Sequence, residues 1–190
     1  LLKKVDHLIV GGAMANTFLY ALGNPVGRSI CEENMANVAL DVIENAKLLD
    51  CEIHLPSDVI LAEKLEDNPK TILAKKDSVP SDLMILDIGP DTVSSIITLL
   101  NNSKTLLWNG PLGAFEIKPF DNATNCIAQA AANLTTKRQL TTIAGGGDTM
   151  AALKNAQVSE SFSYISSAGG AFLEWLEGKK LPGVVPLLNE

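Results

Sequence analysis

Histidine and cysteine are scarce in this sequence: two histidines, His7 and His54, and three cysteines, Cys31, Cys51 and Cys126, among 190 residues. A mechanism built on a histidine base, or a histidine-rich metal centre, has little to draw on. The cysteine count is odd and no Cys-X-X-Cys pair occurs, so no disulfide framework or zinc ribbon is indicated. The three thiols read as buried, in a protein of the reducing cytoplasm. No apolar run approaches the ~20 residues needed to span a bilayer, and Leu1–Asp6 lacks the apolar core of a signal peptide. The missing initiator methionine and an opening in mid-pattern suggest a chain cut from a longer one. Basic residues are outnumbered, with 15 Lys and Arg against 22 Asp and Glu and a net charge of −7. That balance speaks against nucleic acid or anionic lipid as the main partner, since both require a basic face. A small anion stays possible, because helix N-termini bind anions with backbone N–H groups. Neither GxxxxGK[ST] nor GxGxxG is present, so a P-loop ATPase and an ordinary dinucleotide site are not indicated.

What is present is an alternation of short β-rich runs with longer helical ones. Strands are expected at 7–10, 51–55, 83–87, 105–108, 140–144 and 163–166, several of them almost continuously apolar, as in parallel strands buried on both faces. Met35, Val38, Ala39, Val42, Ile43, Ala46 and Leu49 fall at helical spacing. Asp91, after Gly89-Pro90, is placed to cap a second helix. Ala123, Ile127, Ala130, Ala131 and Leu134 mark a third, and 171–177 a last one closed by Gly178. The charged stretch 63–70 reads as a solvated helix end and loop. Repeated strand–helix units predict an α/β fold: a three-layer, doubly wound, Rossmann-like parallel sheet.

Most strands run into a turn bearing glycine or proline: Gly11-Gly12, Pro56-Ser57-Asp58, Gly89-Pro90, Asn109-Gly110-Pro111, Gly145-Gly146-Gly147-Asp148-Thr149 and Ala168-Gly169-Gly170. Such turns lie at the carboxyl edge of the sheet, where open α/β folds bind ligands. The strongest is the triple glycine, which destabilises a loop unless the backbone must come close to something. Glycines opening a helix present N–H donors to a phosphate, and Thr149 adds a hydroxyl. Asp148 would repel that phosphate unless a cation such as Mg²⁺ lies between them; the plainer alternative is a helix cap. Gly169-Gly170 repeats the design one unit later. Asn109 can donate to phosphate, and Glu116 can accept from ribose hydroxyls. Trp108 and Phe115 read as core residues.

Four stretches, IVGGAMANTFL from Ile9, WNGPLGAFE from Trp108, GGGDT from Gly145 and SSAGGAFLEWLEGKKLPGV from Ser166, together resemble the C-terminal, nucleotide-binding domain of the phosphoglycerate kinase family. The resemblance covers nearly the whole chain. It implies phosphoryl transfer between 1,3-bisphosphoglycerate with MgADP and 3-phosphoglycerate with MgATP, with ATP/ADP and Mg²⁺ as cofactors. It implies that Glu116 holds the ribose, that Asn109 contacts phosphate and that Pro111 forms a wall. Gly146, Gly147, Asp148 and Thr149 would bind phosphates, with Asp148 as the metal ligand. Gly169 and Gly170 would face the transferring phosphoryl group, and Gly11, Gly12, Ile30, Ile85 and Leu86 would line the adenine slot. The family often has glycine where this chain has Ala13, Ile85 and Ala168; Ile85 narrows that slot. Residues 1–178 would form the nucleotide domain without its first strand, and 179–190 a tail that packs on an absent N-terminal domain. That domain, which binds phosphoglycerate, and a GGxKVxxK turn would precede Leu1. The intact enzyme would be a monomer and the isolated chain inactive. Two readings stay beside it: a nucleotide-binding module without chemistry, and an unrelated phosphosugar isomerase or Rossmann-type oxidoreductase.

Overall fold

A computed structural model describes residues 1–166 and, beyond them, Ala171, Glu174, Gly178 and Lys179. The expected parallel units form at both ends of the chain. Strand β1 (His7–Ile9) leads through α1 (Gly12–Ala21) and α2 (Ala36–Leu48) to β2 (Glu52–His54), which pairs with β1 in parallel. Later, β6 (Thr105–Asn109), α4 (Asn122–Thr136), β7 (Thr141–Gly145), α5 (Gly147–Asn155) and β8 (Tyr164–Ser166) build a parallel sheet in the order β6-β7-β8. Helix α3 (Pro90–Asn102) packs on α4 and lies over the same core. That core is centred on Ile96, Leu100, Trp108, Ile127, Ala128, Ala131, Ala144 and Leu153, all buried. The apolar spacing of α4 is what presents Ala123, Ile127, Ala131 and Leu134 to it.

Between these parallel pieces lies an antiparallel sheet that the strand–helix pattern does not predict. Strands β3 (Asp58–Ala62), β4 (Ile72–Lys75) and β5 (Met84–Ile88) pair in the order β4-β3-β5, antiparallel throughout. Pro56-Ser57-Asp58 therefore leads into a strand and not a helix, and residues 63–70 form the loop between two strands. The cause is the run Val59–Ala62, whose Val59 and Leu61 are completely buried against Val79 and Leu83. Helix α3 departs from expectation in its cap. Gly89 occupies the N-cap position with Pro90 behind it, and Asp91 lies inside the first turn, paired with Lys75 at 2.7 Å. The capping oxygens come from Asp58 of β3, which accepts from Asp91 N at 3.0 Å and Thr92 N at 2.8 Å.

Both parallel sheets have open edges among the described residues. Among the described residues β1 pairs only with β2 and β6 only with β7. A largely apolar cleft of about 220 Å³ lies alongside β1, lined by Ile9, Val10, Leu55, Ile88, Ile96 and Leu112 among others. Of the three cysteines, Cys51 is buried, Cys31 half-buried and Cys126 exposed. The expectation of three buried thiols is thus corrected for Cys126, which sits on the outer face of α4, between the inward positions Thr124 and Ile127. No described helix is long and apolar enough to cross a membrane. The catalytic candidates Gly169 and Gly170, the neighbouring Ala168, most of the last helix and residues 180–190 lie outside the described residues. Ala171 and Glu174 are helical. Gly178 has φ +87°, and Lys179 N donates to Glu174 O at 2.9 Å, the closure expected of a glycine just past a helix end.

Candidate functional site

Helix α5 begins as the triple glycine requires. Gly146 is its N-cap with φ +96°, a left-handed backbone that other residues avoid. A Cβ there would also come within 2.7 Å of Asn109 Oδ1. Gly147 differs, since a Cβ on it would meet nothing within 4 Å. No side chain caps the helix. Its first-turn amides, which have no intrahelical acceptor, are therefore left to whatever approaches the open side at Gly147.

Asp148 is exposed and stands in the first turn, past the cap position, so the alternative of a capping carboxylate does not hold. It makes no side-chain hydrogen bond or ion pair with any described residue and belongs to no cluster of acidic or imidazole ligands. A lone exposed carboxylate next to the uncovered Gly147 is the kind of ligand Mg²⁺ accepts, since that ion takes one or two carboxylates and completes its shell with phosphate oxygens and water. Thr149 is buried, and its Oγ1 accepts from Gly110 N at 2.7 Å. It thereby ties the loop after β6 to the start of α5.

That loop gathers most of the remaining candidates. Asn109 ends β6, exposed, with its side-chain oxygen against Gly146. Trp108 is buried, as expected of a core residue, with its ring 6.3 Å from Phe162; its Nε1 donates to Gly110 O at 2.6 Å. Two residues on, Leu112 O accepts from Gly12 N at 3.1 Å. This holds the start of α1 against the loop, where Gly12 has φ +60° and Gly11 lies so close to Leu112 that a Cβ would come within 2.7 Å of its Cδ2. Helices α1 and α5, neither with a side-chain cap, thus flank one loop, Asn109–Leu112.

The proposed adenine-lining residues are linked to the same loop. Ile85 N donates to Ser29 Oγ at 2.8 Å, setting the segment that carries Ile30 beside β5. Ile30 is 76% exposed, a large apolar side chain without cover. Leu86 O accepts from Ala114 N at 2.8 Å, so β5 is joined to the loop beyond Pro111. Pro111 is half-buried beside Gly12. Glu116 is exposed on the following turn and bonds no described residue.

Two buried carboxylates carry the scaffold, and neither role is legible in the sequence. Asp87 accepts from Ile88 N at 2.9 Å and from Ala123 N at 3.0 Å, fixing the start of α4. Burial pushes its carboxyl up to about 7, against the two amide bonds that favour charge. Burial also pushes Asp58 up, but bonds from the Thr92 hydroxyl and from the Asp91 and Thr92 amides, with Lys75 nearby, outweigh it and hold Asp58 below the usual carboxylate range. The bonds that give each acid its role, to α3 and to the start of α4, come from donors more than thirty residues away and leave no local pattern to read.

Comparison with known proteins gives one consistent answer. The family model described as phosphoglycerate kinase matches residues 1–179. A phosphoglycerate kinase from Ruegeria sp. (strain TM1040) is 56% identical over 187 residues, and one from Zymomonas mobilis 53%. Each comparison covers 98% of this chain but 47% of the relative, so the chain spans about half the length of the curated relatives it matches. The solved phosphoglycerate kinase from Coxiella burnetii superposes with a TM-score of 0.89 at 44% identity, covering 94% of this chain and 45% of that one. The structure from Pyrococcus horikoshii gives 0.72 at 25% identity. The fold, with its two parallel sheets, and these matches together establish that the chain belongs to the phosphoglycerate kinase family.

Proposed function

We propose that this chain is the ATP/ADP-holding half of an enzyme that moves a phosphoryl group between 1,3-bisphosphoglycerate and MgADP, giving 3-phosphoglycerate and MgATP. The observation that carries the reading is the pair of helix N-termini without side-chain caps, α1 and α5, held on either side of Asn109–Leu112. Phosphoryl transfer asks a protein for positioning and charge neutralisation more than for acid–base groups. In this reading the first-turn amides of α5 and the Asn109 side chain orient the phosphates. The segment carrying Ile30, with Ile85 and Leu86, gives the base an apolar wall, and Glu116 accepts from the ribose. Asp148 would hold Mg²⁺ together with phosphate oxygens; when bound, the ion neutralises charge on the transferring group. Gly169 and Gly170 would supply amides facing that group. The acceptor lies in the other half of the protein, which would close on this one and exclude water. Taken alone, the chain binds nucleotide without turnover.

Calorimetric titration with ADP, with and without Mg²⁺, tests this. The wild-type chain should bind ADP more tightly with the ion present, and Asp148→Ala should lose that difference while binding metal-free ADP nearly as before. Gly147→Ala, where a methyl meets no protein atom, should weaken ADP binding with little change in thermal stability. In the full-length enzyme Asp148→Ala should lower kcat by far more than the ~1 kcal/mol loss of a helix cap would suggest. A variant that keeps its magnesium dependence and its turnover would remove Asp148 from the metal site.

A further inference from the structure

His7 and His54, 47 residues apart in sequence, meet in the fold. The parallel register of β1 and β2 sets His7 beside Glu52 and Ile9 beside His54. Residues two apart on a strand share a face, so the side chains of His7, Glu52 and His54 rise from one face of the ribbon. His7 Nδ1 and His54 Nε2 lie 3.0 Å apart. Glu52 Oε2 is 3.5 Å from the first and 3.7 Å from the second. Three donor atoms therefore form a nearly equilateral triangle. Ligands held at about 2.0–2.1 Å around a tetrahedral ion stand about 3.3–3.4 Å from one another, which is the size of this triangle.

We infer that His7, Glu52 and His54 form a surface site for a four-coordinate divalent transition ion of the zinc class, with the fourth position open to water or a ligand. Two imidazoles and one carboxylate make a nitrogen-rich set, which favours zinc, nickel or copper over the oxygen-seeking Mg²⁺. The site is thus separate in chemistry from Asp148. The contact between the two rings needs a single shared proton, and an ion would take its place. Access is open, since the Glu52 side chain is 68% exposed and that of His7 39%. Both strands are held by backbone pairing, so the donors are in position beforehand and little ordering is left for binding. Among the described residues this is the one group of three ligand side chains whose donor atoms converge.

The test is a titration of the protein with Zn²⁺ against a chromophoric chelator, without nucleotide, followed by Co²⁺ as a spectroscopic substitute. One equivalent of Zn²⁺ should bind, and Co²⁺ should give the intense visible absorption of a four-coordinate ion with no thiolate charge-transfer band. His7→Gln and His54→Gln should each weaken binding by at least the roughly 10–100-fold that loss of an outer-shell partner costs. Zn²⁺ should raise Tm in the wild type and leave it unchanged in the double variant. ADP titration of His54→Gln with Mg²⁺ should match the wild type, which separates this site from the nucleotide site. No stoichiometric uptake, equal affinity in the histidine variants, or a thiolate band pointing to a cysteine ligand would overturn the inference.

Discussion

At the scale of single residues, position along the chain and role in the fold often part company. Thr149 stands in the motif as a phosphate donor, and its buried hydroxyl oxygen has a second task, accepting from Gly110 N and so fixing the loop that carries Asn109. Asp87 closes a strand in the sequence and in the fold orders the start of α4 from inside the core. Its raised pKa has a consequence for stability. The native state holds the Asp87 proton up to about pH 7, whereas the unfolded chain releases it near 3.8. Between those values the native state binds more protons, so this group's contribution to stability falls as pH rises. The loss amounts to at most about 4 kcal/mol for a shift of this size. Asp87→Asn replaces the group by one that does not titrate, and it turns an amide N–H toward a backbone donor. The variant should be less stable at low pH by about 1–3 kcal/mol. The difference from wild type should shrink as pH rises from about 5 to about 8. Denaturant melts at both pH values measure it, and parallel curves would show that Asp87 does not titrate in this range.

At the scale of elements, the parallel units and strand β5 were legible, and β3, β4 and their antiparallel pairing with β5 were not. Strands β1, β2, β6, β7 and β8 and helices α2 and α4 follow from apolar periodicity and from glycine after each strand, because a βαβ unit writes both signals locally. Val59–Ala62 carries the same apolar signal, but it follows Pro56-Ser57-Asp58, which reads as the turn into a helix. Its partner Ile72–Lys75 is short, and Ile72 and Leu73 are exposed, so no buried face marks it. One joint between this sheet and the parallel part is Asp58, buried and bonded to three donors of α3: Asp91 N, Thr92 N and Thr92 Oγ1. Glycine loops were legible as a candidate site for the same local reason, whereas their mutual placement rests on long-range bonds such as Gly110–Thr149 and Gly12–Leu112. Asp58→Ala leaves the Asp91 and Thr92 amides without their acceptor and removes the cap of α3 at once, while Thr92 Oγ1 keeps the Asp58 carbonyl. It should cost about 2 kcal/mol or more, given roughly 1–3 kcal/mol for each buried group left unpaired. Asp91→Ala, which removes only an exposed ion pair, should cost under about 1 kcal/mol. Comparable losses in the two variants would mean that Asp58 is not the cap. The Asp58 contribution is also lost as pH falls below the ordinary carboxylate range, because its folded pKa is depressed.

At the scale of the whole molecule, the two parallel sheets have edges without strand partners among the described residues, and the apolar cleft runs along one of them. Unpaired strand edges with apolar walls are liabilities that folded proteins cover. The relatives extend to about twice the length of this chain, so they carry residues with which to cover it, and a strand inserted beside β1 would bury Ile9, Ile88 and Ile96. Burial of that lining would stabilise the chain at about 25 cal/mol for each Å² removed from water, apart from any contact with substrate. The expected outcome is a difference in hydrogen exchange. In the 190-residue chain, β1 and β6 amides not bonded to β2 or β7 should exchange quickly. In a protein that joins this chain to the residues of a relative that it does not match, these amides should gain protection and Tm should rise. The β7 amides, already paired on both sides, serve as the internal reference and should change only as much as global stability does. If β1 and β6 gain no more protection than β7, the added residues stabilise the chain from elsewhere. The cleft beside β1 would then be a feature of the finished fold and not the seat of a strand.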